Sequence, residues 1–325
     1  MIQNPSWDIE QVKPVDVSDC QSLFQTVFNT PISPKFWDWK YGLGRGRSMI
    51  ARDAKGQLVA HYGATVRHIR LCGQPTRALQ SCDVMVRACE RGLLGRRGVF
   101  FQVARAFQER YLGERGSGEF CLAYGFPHAR AMRLPVLLGL YREVDKVTEM
   151  HWHPLSSSGL LSPKAEQIYE PREILAVAKY LWCQMAPQLE EFIVVERDPG
   201  YLCYRYLSHP EFDYQYLIIR QPWTRRPMGL MVLKAEAGKV KIMEVLADVR
   251  DLRSVLLSVR RAMVTRGWDT LIAWVANSQM PHFVGMEGAD QEIDVRIPDH
   301  AWTSGLPIES IRNRWWISLG DTDFA

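Results

Sequence analysis

The chain has 325 residues, of which 47% are hydrophobic and 23% charged, and its formal net charge is +4. This composition is typical of a globular protein, and the charge is too small for a dedicated nucleic-acid binder. Seven scattered cysteines without a C-x-x-C pair do not form the framework of a small disulfide-rich protein. Because the first residues lack a signal-peptide pattern and no apolar run approaches about 18 residues, we expect a cytoplasmic protein with no membrane span.

Apolar periodicity and turn residues predict the order of elements in the first half. Two helices come first, and Ser33 with Pro34 marks the start of the second. Three strands, a helix, a strand, a helix and a strand follow. The predicted ranges, in chain order, are residues 15–29, 33–41, 48–53, 57–71, 77–87, 99–112, 119–126, 128–141 and 142–152.

The loop before the third helix is rich in glycine and arginine. It reads Glu90-Arg-Gly-Leu-Leu-Gly-Arg-Arg-Gly98 and leads into apolar residues at helical spacing. The first amides of a helix have no intrahelical partner, and glycine lets a ligand approach them closely. The stretch therefore predicts either an anion site at a helix N-terminus or a solvated surface loop.

Motifs in this order resemble the GNAT superfamily of acyl-coenzyme-A-dependent N-acyltransferases. They are SCDVMV, GRRGVFF, CLAYGFP and HARAMRLPVLLGLY. With FWDWKYG and VAHYGA, they more narrowly resemble bacterial tandem-GNAT proteins, some of which are associated with polysaccharide biosynthesis. The resemblance covers roughly residues 10–150.

The resemblance implies where an acyl-CoA would bind. The loop and first helical turn would hold its pyrophosphate, the strand before them would pair with the pantetheine arm, and the next strand would splay away to leave a slot for the thioester. The later helix would complete the site. The residues implied are Arg96, Arg97, Gly98, Val99 and Phe100 for the pyrophosphate, Val84, Met85 and Val86 for the pantetheine, and His128 and Ala131 on the helix.

The sequence departs from the family pattern at two places. Gly95 stands at the first loop position and bulky Phe100 at the last. Pro135 stands where the family's later helix often carries the tyrosine that protonates the leaving thiolate. Tyr124 and Tyr141 are nearby candidates for that role. The alternatives are that the thiolate leaves unprotonated or that this half of the chain does not catalyse.

Three further sets of side chains have both a functional and a structural interpretation. Asp83 in a mostly apolar strand is either a general base with a raised pKa or a structural hydrogen-bond acceptor. A histidine in mid-strand, such as His61, is more often a structural residue of the core or of a site wall, with its hydrogen bonds made, than a catalytic one. His151 and His153 lack a third ligand, so we predict no metal site. Cys82 and Cys89 indicate no nucleophile.

The second half repeats the order of the first, with Tyr204-Arg205-Tyr206 in the place of Trp39-Lys40-Tyr41. Its counterpart of the phosphate loop, Ala247-Asp-Val-Arg-Asp-Leu-Arg-Ser254, has acids and no glycine. We therefore predict an α/β (α+β) protein of two tandem GNAT-like domains, each a mixed, mostly antiparallel twisted sheet flanked by helices. The expected ranges are 1–150 for the acyl-CoA-binding domain, 151–190 for a linker and helix, and 191–325 for a degenerate copy.

The expected function is transfer of an acyl group, with acetyl as the first choice, from acyl-CoA to a small-molecule amine by direct attack on the thioester. An amino sugar or cell-envelope precursor is the first acceptor that the resemblance implies. A non-catalytic acyl-CoA-binding module and an aminoacyl-tRNA-dependent transferase are the alternatives. We expect no metal and no nucleic-acid partner, and a homodimer is compatible with the sequence.

Overall fold

The computed structural model describes residues 7–92, 95–112, 118–156, 162–303 and 306–322. Its helices are α1 Val17–Phe28, α2 Pro34–Tyr41, α3 Val99–Tyr111, α4 Ala129–Leu137, α5 Pro171–Met185, α6 Pro199–Leu202 and α7 Leu252–Arg266. Its strands are β1 Asp8–Gln11, β2 Gly46–Arg52, β3 Leu58–Leu71, β4 Gln74–Val86, β5 Ala123–Tyr124, β6 Tyr141–Trp152, β7 Lys164–Ile168, β8 Ile193–Val195, β9 Gln215–Arg220, β10 Pro227–Glu236, β11 Lys239–Ala247, β12 Thr270–Ala276, β13 Ala289–His300 and β14 Trp315–Trp316.

The chain divides into two compact units that interleave along the sequence. Unit 1 contains the residues up to His68, then Thr76–Val144 and Val295–Ser310. Unit 2 contains Ile69–Pro75, Asp145–Asp294 and the residues from Ile311 onward. Unit 1 therefore includes a segment that lies about 150 residues downstream of its other parts.

The sheet of unit 1 has the strand order β1-β2-β3-β4-β5-β13. The pairs β1–β2, β2–β3 and β5–β13 are antiparallel, and β4–β5 is parallel. Since side chains alternate between the two faces of a strand, His61 and Tyr62 of β3 point to opposite sides. Tyr62 lies in a core with Phe107 and Val103 of α3. The opposite face packs Ile50 and Met85 against α1 and α2.

The strands of unit 2 are also mostly antiparallel. The order β6-β12-β11-β10-β9-β7 contains one parallel pair, β11–β12. The apolar faces of α5 and α7 pack in the same core as β10 and β11. Strand β14 pairs in parallel with β8.

The predicted fold class is confirmed, since the protein is a mixed α/β structure with mostly antiparallel sheet. The helices over 15–29 and 33–41 form as predicted, and Ser33 accepts a hydrogen bond from the Phe36 amide at 3.1 Å. Strands β1 and β7 were not predicted, and the strand expected over 119–126 shortens to β5. The interpretation of the two halves as copies of one fold stays a prediction.

Candidate active site

The fork between β4 and β5 is the central feature of unit 1. The two strands pair only where Leu79 and Gln80 meet Ala123 and Tyr124. A Cβ on Gly125 would lie 3.2 Å from the Ser81 carbonyl oxygen, so the strands are still close there. Within the described residues, their ladder does not continue further, although β4 runs on to Val86. The backbone edge of β4 that faces the fork is therefore available to a ligand.

Strand β4 also bends inside the fork. Asp83 has a φ of 48°, a left-handed conformation that is uncommon outside glycine and most accessible to Asn and Asp. The bend lies directly before Val84, Met85 and Val86, the predicted pantetheine strand. Val84 and Val86 are partly exposed, whereas Met85 is fully buried.

The predicted phosphate seat forms a tight turn at the start of α3. Gly95 has a φ of 87°, and its carbonyl accepts from the Gly98 amide at 3.0 Å. Gly98 is the N-cap without a side-chain cap, and its carbonyl accepts from the Gln102 amide at 3.2 Å. The amides of Val99, Phe100 and Phe101 therefore have no intrahelical acceptor. Leu93 and Leu94 of the predicted loop lie outside the described residues.

The arginines of this turn differ in their surroundings. The Arg96 guanidinium lies 5.5 Å from the Trp302 ring centroid and 5.9 Å from that of Phe101, within cation–π range. Arg97 has no such ring contact among those found in the described chain and is exposed. Arg97 is therefore the freer of the two cations at the helix N-terminus.

Helix α4 begins at Ala129 with His128 as N-cap, and both His128 and Ala131 are exposed. Pro135 is buried inside this helix. The helix ends two residues later, at Leu137, and Leu140 donates its amide to the Pro135 carbonyl at 2.9 Å. The side chain at the position of the family's tyrosine thus has no proton to donate.

Asp83 lies in a buried ion pair. Its carboxylate accepts from the Lys40 ammonium at 2.8 Å and from the Tyr41 hydroxyl, and the side chains of Lys40 and Asp83 are only 3% and 7% exposed. Burial raises the pKa of Tyr41 well above its usual value, so Tyr41 stays a donor. Because both carboxylate oxygens are engaged, this geometry supports the structural interpretation of Asp83 over the general-base interpretation.

His61 belongs to the same cluster and has one nitrogen without a partner. Its Nδ1 lies 2.7 Å from the Asp83 carbonyl oxygen, which can only accept, so Nδ1 carries the proton. The residue is fully buried, and no described residue offers Nε2 a hydrogen bond. Burial lowers the pKa of His61, which therefore presents an unprotonated Nε2 at neutral pH.

A second polar network lies on the other face of the sheet. The Tyr141 and Tyr62 hydroxyls are hydrogen-bonded to each other, and the Tyr62 hydroxyl lies 2.6 Å from His300 Nε2. Ser81 Oγ lies 2.8 Å from the same nitrogen. His300 Nδ1 donates to the Ala123 carbonyl at 2.7 Å, so its Nε2 is the acceptor. This network lies under the point where β4 and β5 separate.

The two candidate tyrosines differ in position. Tyr141 begins β6 and is tied into the network, and burial raises its pKa above the usual range of a phenol. Tyr124 lies in β5 with 1% exposure, and its ring meets that of Phe126 edge-on at 6.0 Å. The Tyr141 hydroxyl is linked through Tyr62 to His300.

Sequence reasoning missed Tyr62 and His300. They are 238 positions apart in the chain. His300 lies at the end of β13, the strand that completes unit 1 from far downstream. No local pattern in the first half signals such a partner. Tyr62 directly follows His61 in the motif VAHYGA, which is the nearest signal that was present.

Unit 2 has a fork of its own but a different helix N-terminus. Strands β11 and β12 pair from Lys239–Thr270 to Lys241–Ile272, and an apolar cavity follows, lined on its two sides by residues that include Ile242 and Ala273. At the start of α7, however, Asp248 accepts from the Arg250 amide at 2.9 Å and forms an ion pair with its guanidinium at 2.7 Å.

The two histidines that were considered as metal ligands, His151 and His153, contact other protein groups. His151 Nε2 lies 2.7 Å from Glu149 Oε1, and His153 Nδ1 lies 3.4 Å from the Asp269 carbonyl oxygen. In the described part of the chain, no group of three or more His, Cys, Asp or Glu side chains is placed to hold a metal ion. None of the described helices is long and apolar enough to cross a membrane.

Comparison with known proteins finds a family model that matches the first part of the chain. A family model described as an acetyltransferase (GNAT) domain matches residues 8–132. That range includes the fork and the start of α3. No curated protein matches the sequence.

Solved structures extend the likeness over most of the chain. A probable N-acyltransferase of unknown function from Enterococcus faecalis is 11% identical, covers 93% of this chain and 73% of its own, and has a TM-score of 0.68. A GCN5-related N-acetyltransferase from Kribbella flavida is 14% identical over 91% and 71%, with a TM-score of 0.63. The N-myristoyltransferase of Saccharomyces cerevisiae with bound myristoyl-CoA is 7% identical over 93% and 83%, with a TM-score of 0.56. Residues 8–132 therefore match a model of the GNAT acetyltransferase domain, and the chain has the fold of these structures.

Proposed function

We propose that this protein transfers an acyl group from acyl-CoA to the amine of a small molecule. The observation that carries the proposal is the fork between β4 and β5, whose open strand edge is followed in the chain by the uncapped N-terminus of α3. A pantetheine arm carries amides that pair with a strand edge, and a pyrophosphate fits the free amides of a helix start. Both elements lie within the matched GNAT domain.

In this proposal the chain contributes binding and polarisation more than covalent chemistry. The amides of Val99, Phe100 and Phe101 and the side chain of Arg97 hold the pyrophosphate. The backbone of Val84–Val86 aligns the pantetheine arm, and its amides polarise the thioester carbonyl for direct attack by the amine. The cation of Lys40 is neutralised by Asp83, so the buried pair adds no net charge beside the reacting atoms.

We choose the first acceptor and acyl group to test with the help of one structurally similar protein. One structural neighbour is a fungal protein region described as a glucosamine N-acetyltransferase, with a TM-score of 0.60. We propose an amino sugar as the first acceptor to test, and acetyl-CoA before longer acyl-CoA thioesters. The absence of an acidic proton at Pro135 means that the thiolate leaves unprotonated or takes a proton from another group.

A non-catalytic acyl-CoA-binding module is the second candidate function. The buried Pro135 in α4 favours it, because a general acid typically contributes about 10²–10⁴-fold to a rate. The two functions share the binding site and differ in turnover. Release of free CoA that depends on an added amine supports the transferase and excludes the module.

Substitution of Gly98 tests the shared site. Gly98 has a φ of −74°, so a side chain there causes no backbone strain. We expect Gly98→Asp to weaken acyl-CoA binding more than Gly98→Asn, by about 1–3 kcal/mol for like charges ~5 Å apart at an effective dielectric constant of about 20–80. Asparagine matches aspartate in size and lacks its charge. Calorimetric titration of the wild type and both variants measures the difference, and equal affinities for the two variants would remove this turn from the site.

A further inference from the structure

His61 has a feature that the proposed binding roles do not use. Its Nε2 is a buried acceptor to which no described residue donates. Leaving a buried polar group unpaired destabilises the folded protein, and such groups in native proteins usually mark a functional site or a bound water. This unpaired nitrogen lies in the middle of β3, within the matched GNAT domain.

The other nitrogen of His61 fixes the ring in one tautomer. Nδ1 donates to the Asp83 carbonyl at 2.7 Å, and the ring is held between Trp37 and Tyr41, with centroid separations of 5.9 and 6.1 Å. A Cβ on Gly63 would lie 2.6 Å from His61 Cε1, so the neighbouring position has to be glycine for the ring to lie there. The lone pair of Nε2 is thus buried, unpaired within the described residues and held in one orientation.

The position of this lone pair relates it to the reacting atoms. Asp83, whose carbonyl holds the ring, is the residue at which β4 bends inside the fork, and Val84 begins the predicted pantetheine strand. A base at this position lies beside the strand that polarises the thioester. The base needed in the transfer takes a proton from the attacking nitrogen, and an unprotonated imidazole is suited to that task.

We propose that His61 Nε2 accepts the proton of the acceptor amine, so that His61 is the general base of the transfer; this rests on the proposed function. Nε2 takes one proton from the bound ammonium, the freed amine attacks the thioester carbonyl, and a C–N bond forms. The C–S bond then breaks, and CoA leaves as the thiolate. The attacking nitrogen loses its second proton to the thiolate, and the imidazolium releases its proton to solvent, which restores His61.

The groups around His61 fit a base that is neutral at rest. Lys40 and Tyr41 face it from α2, and Asp83 and Cys82 face it from β4. Burial and the Lys40 cation disfavour the imidazolium, and the Asp83 carboxylate partly compensates by stabilising it when it forms. The imidazole is therefore unprotonated at neutral pH and can still hold a proton transiently.

The test compares His61→Ala and His61→Gln with the wild type and with His68→Ala. His68 is an exposed histidine on the same strand and is the matched control. The measurement is kcat/KM for amine-dependent release of CoA between about pH 6 and pH 10. We expect both His61 variants to lose about 10²–10⁴-fold near pH 7 and His68→Ala to stay near the wild type.

The pH dependence separates a base from a structural histidine. Below the pKa of an alkylammonium, near ~10, the fraction present as free amine rises about tenfold for each unit by which the pH rises, and only the His61 variants depend on that free amine. The deficit of the His61 variants should therefore shrink by about tenfold per pH unit as the pH rises. A deficit that is constant across the range, or a His61→Ala variant within about threefold of the wild type near pH 7, would overturn the proposal.

Binding measurements distinguish failure of the His61 proposal from failure of the proposed acyltransferase function. Calorimetry with acetyl-CoA is run on each variant, and we expect affinities within about threefold of the wild type, since Nε2 acts on the amine. The ¹⁵N resonance of His61 Nε2 is followed while the amine is added in the presence of a non-reactive thioether analogue of acetyl-CoA. An unchanged resonance in a protein that transfers acyl groups would mean that Nε2 serves a buried water only. A wild type that binds acetyl-CoA and acylates no amine would instead refute the transferase itself.

Discussion

Burial keeps the imidazole of His300 neutral in the folded protein, and this gives stability a pH dependence. Loss of contact with water lowers the pKa of His300 from 6.5 to about 4. In the unfolded chain the imidazole takes up a proton below its ordinary pKa, so the unfolded state binds more protons in this interval. Stability that is fully present above about pH 6.5 is therefore lost as the pH falls towards 4, by roughly 3 kcal/mol at full effect.

The variant His300→Gln tests this dependence. It should be less stable than the wild type near pH 7, because Tyr62 and Ser81 lose a well-placed acceptor. Its free energy of unfolding should fall less steeply between pH 6.5 and 4. His61 and His209 also have lowered pKa values, but they are present in both proteins and cancel in the comparison. Urea unfolding at several pH values measures both slopes, and parallel curves would contradict the assignment to His300.

At the residue scale, the sequence predicted those features that depend on neighbours in the chain. Ser33 and Pro34 start a helix because their chemistry acts within one turn. A structural role for Asp83 was one of the two interpretations because it lies among apolar residues. Its partner Lys40 is 43 positions away, and no local pattern signals that contact. The role of His300 could not be predicted for the same reason, because its contacts form only when β13 pairs with β5.

At the scale of elements, the N-termini of α3 and α7 differ in what already occupies them. The start of α3 has a glycine cap with no side-chain bond. The turn before α7 is closed by Asp248, and the hydrogen bonds and charge of Arg250 lower the pKa of Asp248 to about 2. Asp248 is thus ionised at neutral pH, and its negative charge repels a pyrophosphate.

We therefore expect one acyl-CoA per chain, bound at the start of α3. Native mass spectrometry or calorimetry gives the stoichiometry. In Gly98→Asp the number of bound molecules should fall towards zero, whereas Asp248→Asn should leave it at one. A stoichiometry of two in the wild type, or a loss of binding in Asp248→Asn, would show that unit 2 also binds acyl-CoA.

Elements with a long apolar period could be predicted, and short ones could not. The apolar residues at helical spacing over Val99–Tyr111 predict α3, because a periodic pattern of about three turns is hard to mistake for a strand. Strand β1 has four residues and lies at the sheet edge, where half of its backbone groups need no partner. Strand β5 is short because it leaves β4 at the fork, although the apolar run around it suggested a longer strand.

At the scale of the whole molecule, the composition of unit 1 predicts how a fragment behaves. Residues 1–150 include its first two parts but lack Val295–Ser310. Removal of that segment deletes the partner of β5, the Ala301 amide that bonds the Leu140 carbonyl at 2.7 Å, and the ion pair of Asp299 with Arg142 at 2.7 Å. We expect the fragment to lack a cooperative thermal transition.

A fusion protein is the matched control for this fragment. Residues 289–310 joined to residues 1–150 through a flexible linker of about 15 residues restore the missing strand without unit 2. We expect the fusion to regain cooperative melting and the fragment alone to remain without it. Cooperative unfolding of the 1–150 fragment at the temperature of the full chain would show that β13 contributes little to unit 1.

The order of synthesis gives the interleaved chain a further consequence. On the ribosome, the roughly 150 residues between Val144 and Val295 take on the order of 10–30 s to be made at about 5–20 residues per second. Throughout that interval β5 has an open edge, and the tyrosines and serine that face His300 have no imidazole to meet. The nascent first unit is therefore exposed to mispairing with other strands, and it reaches its final form only near the end of translation.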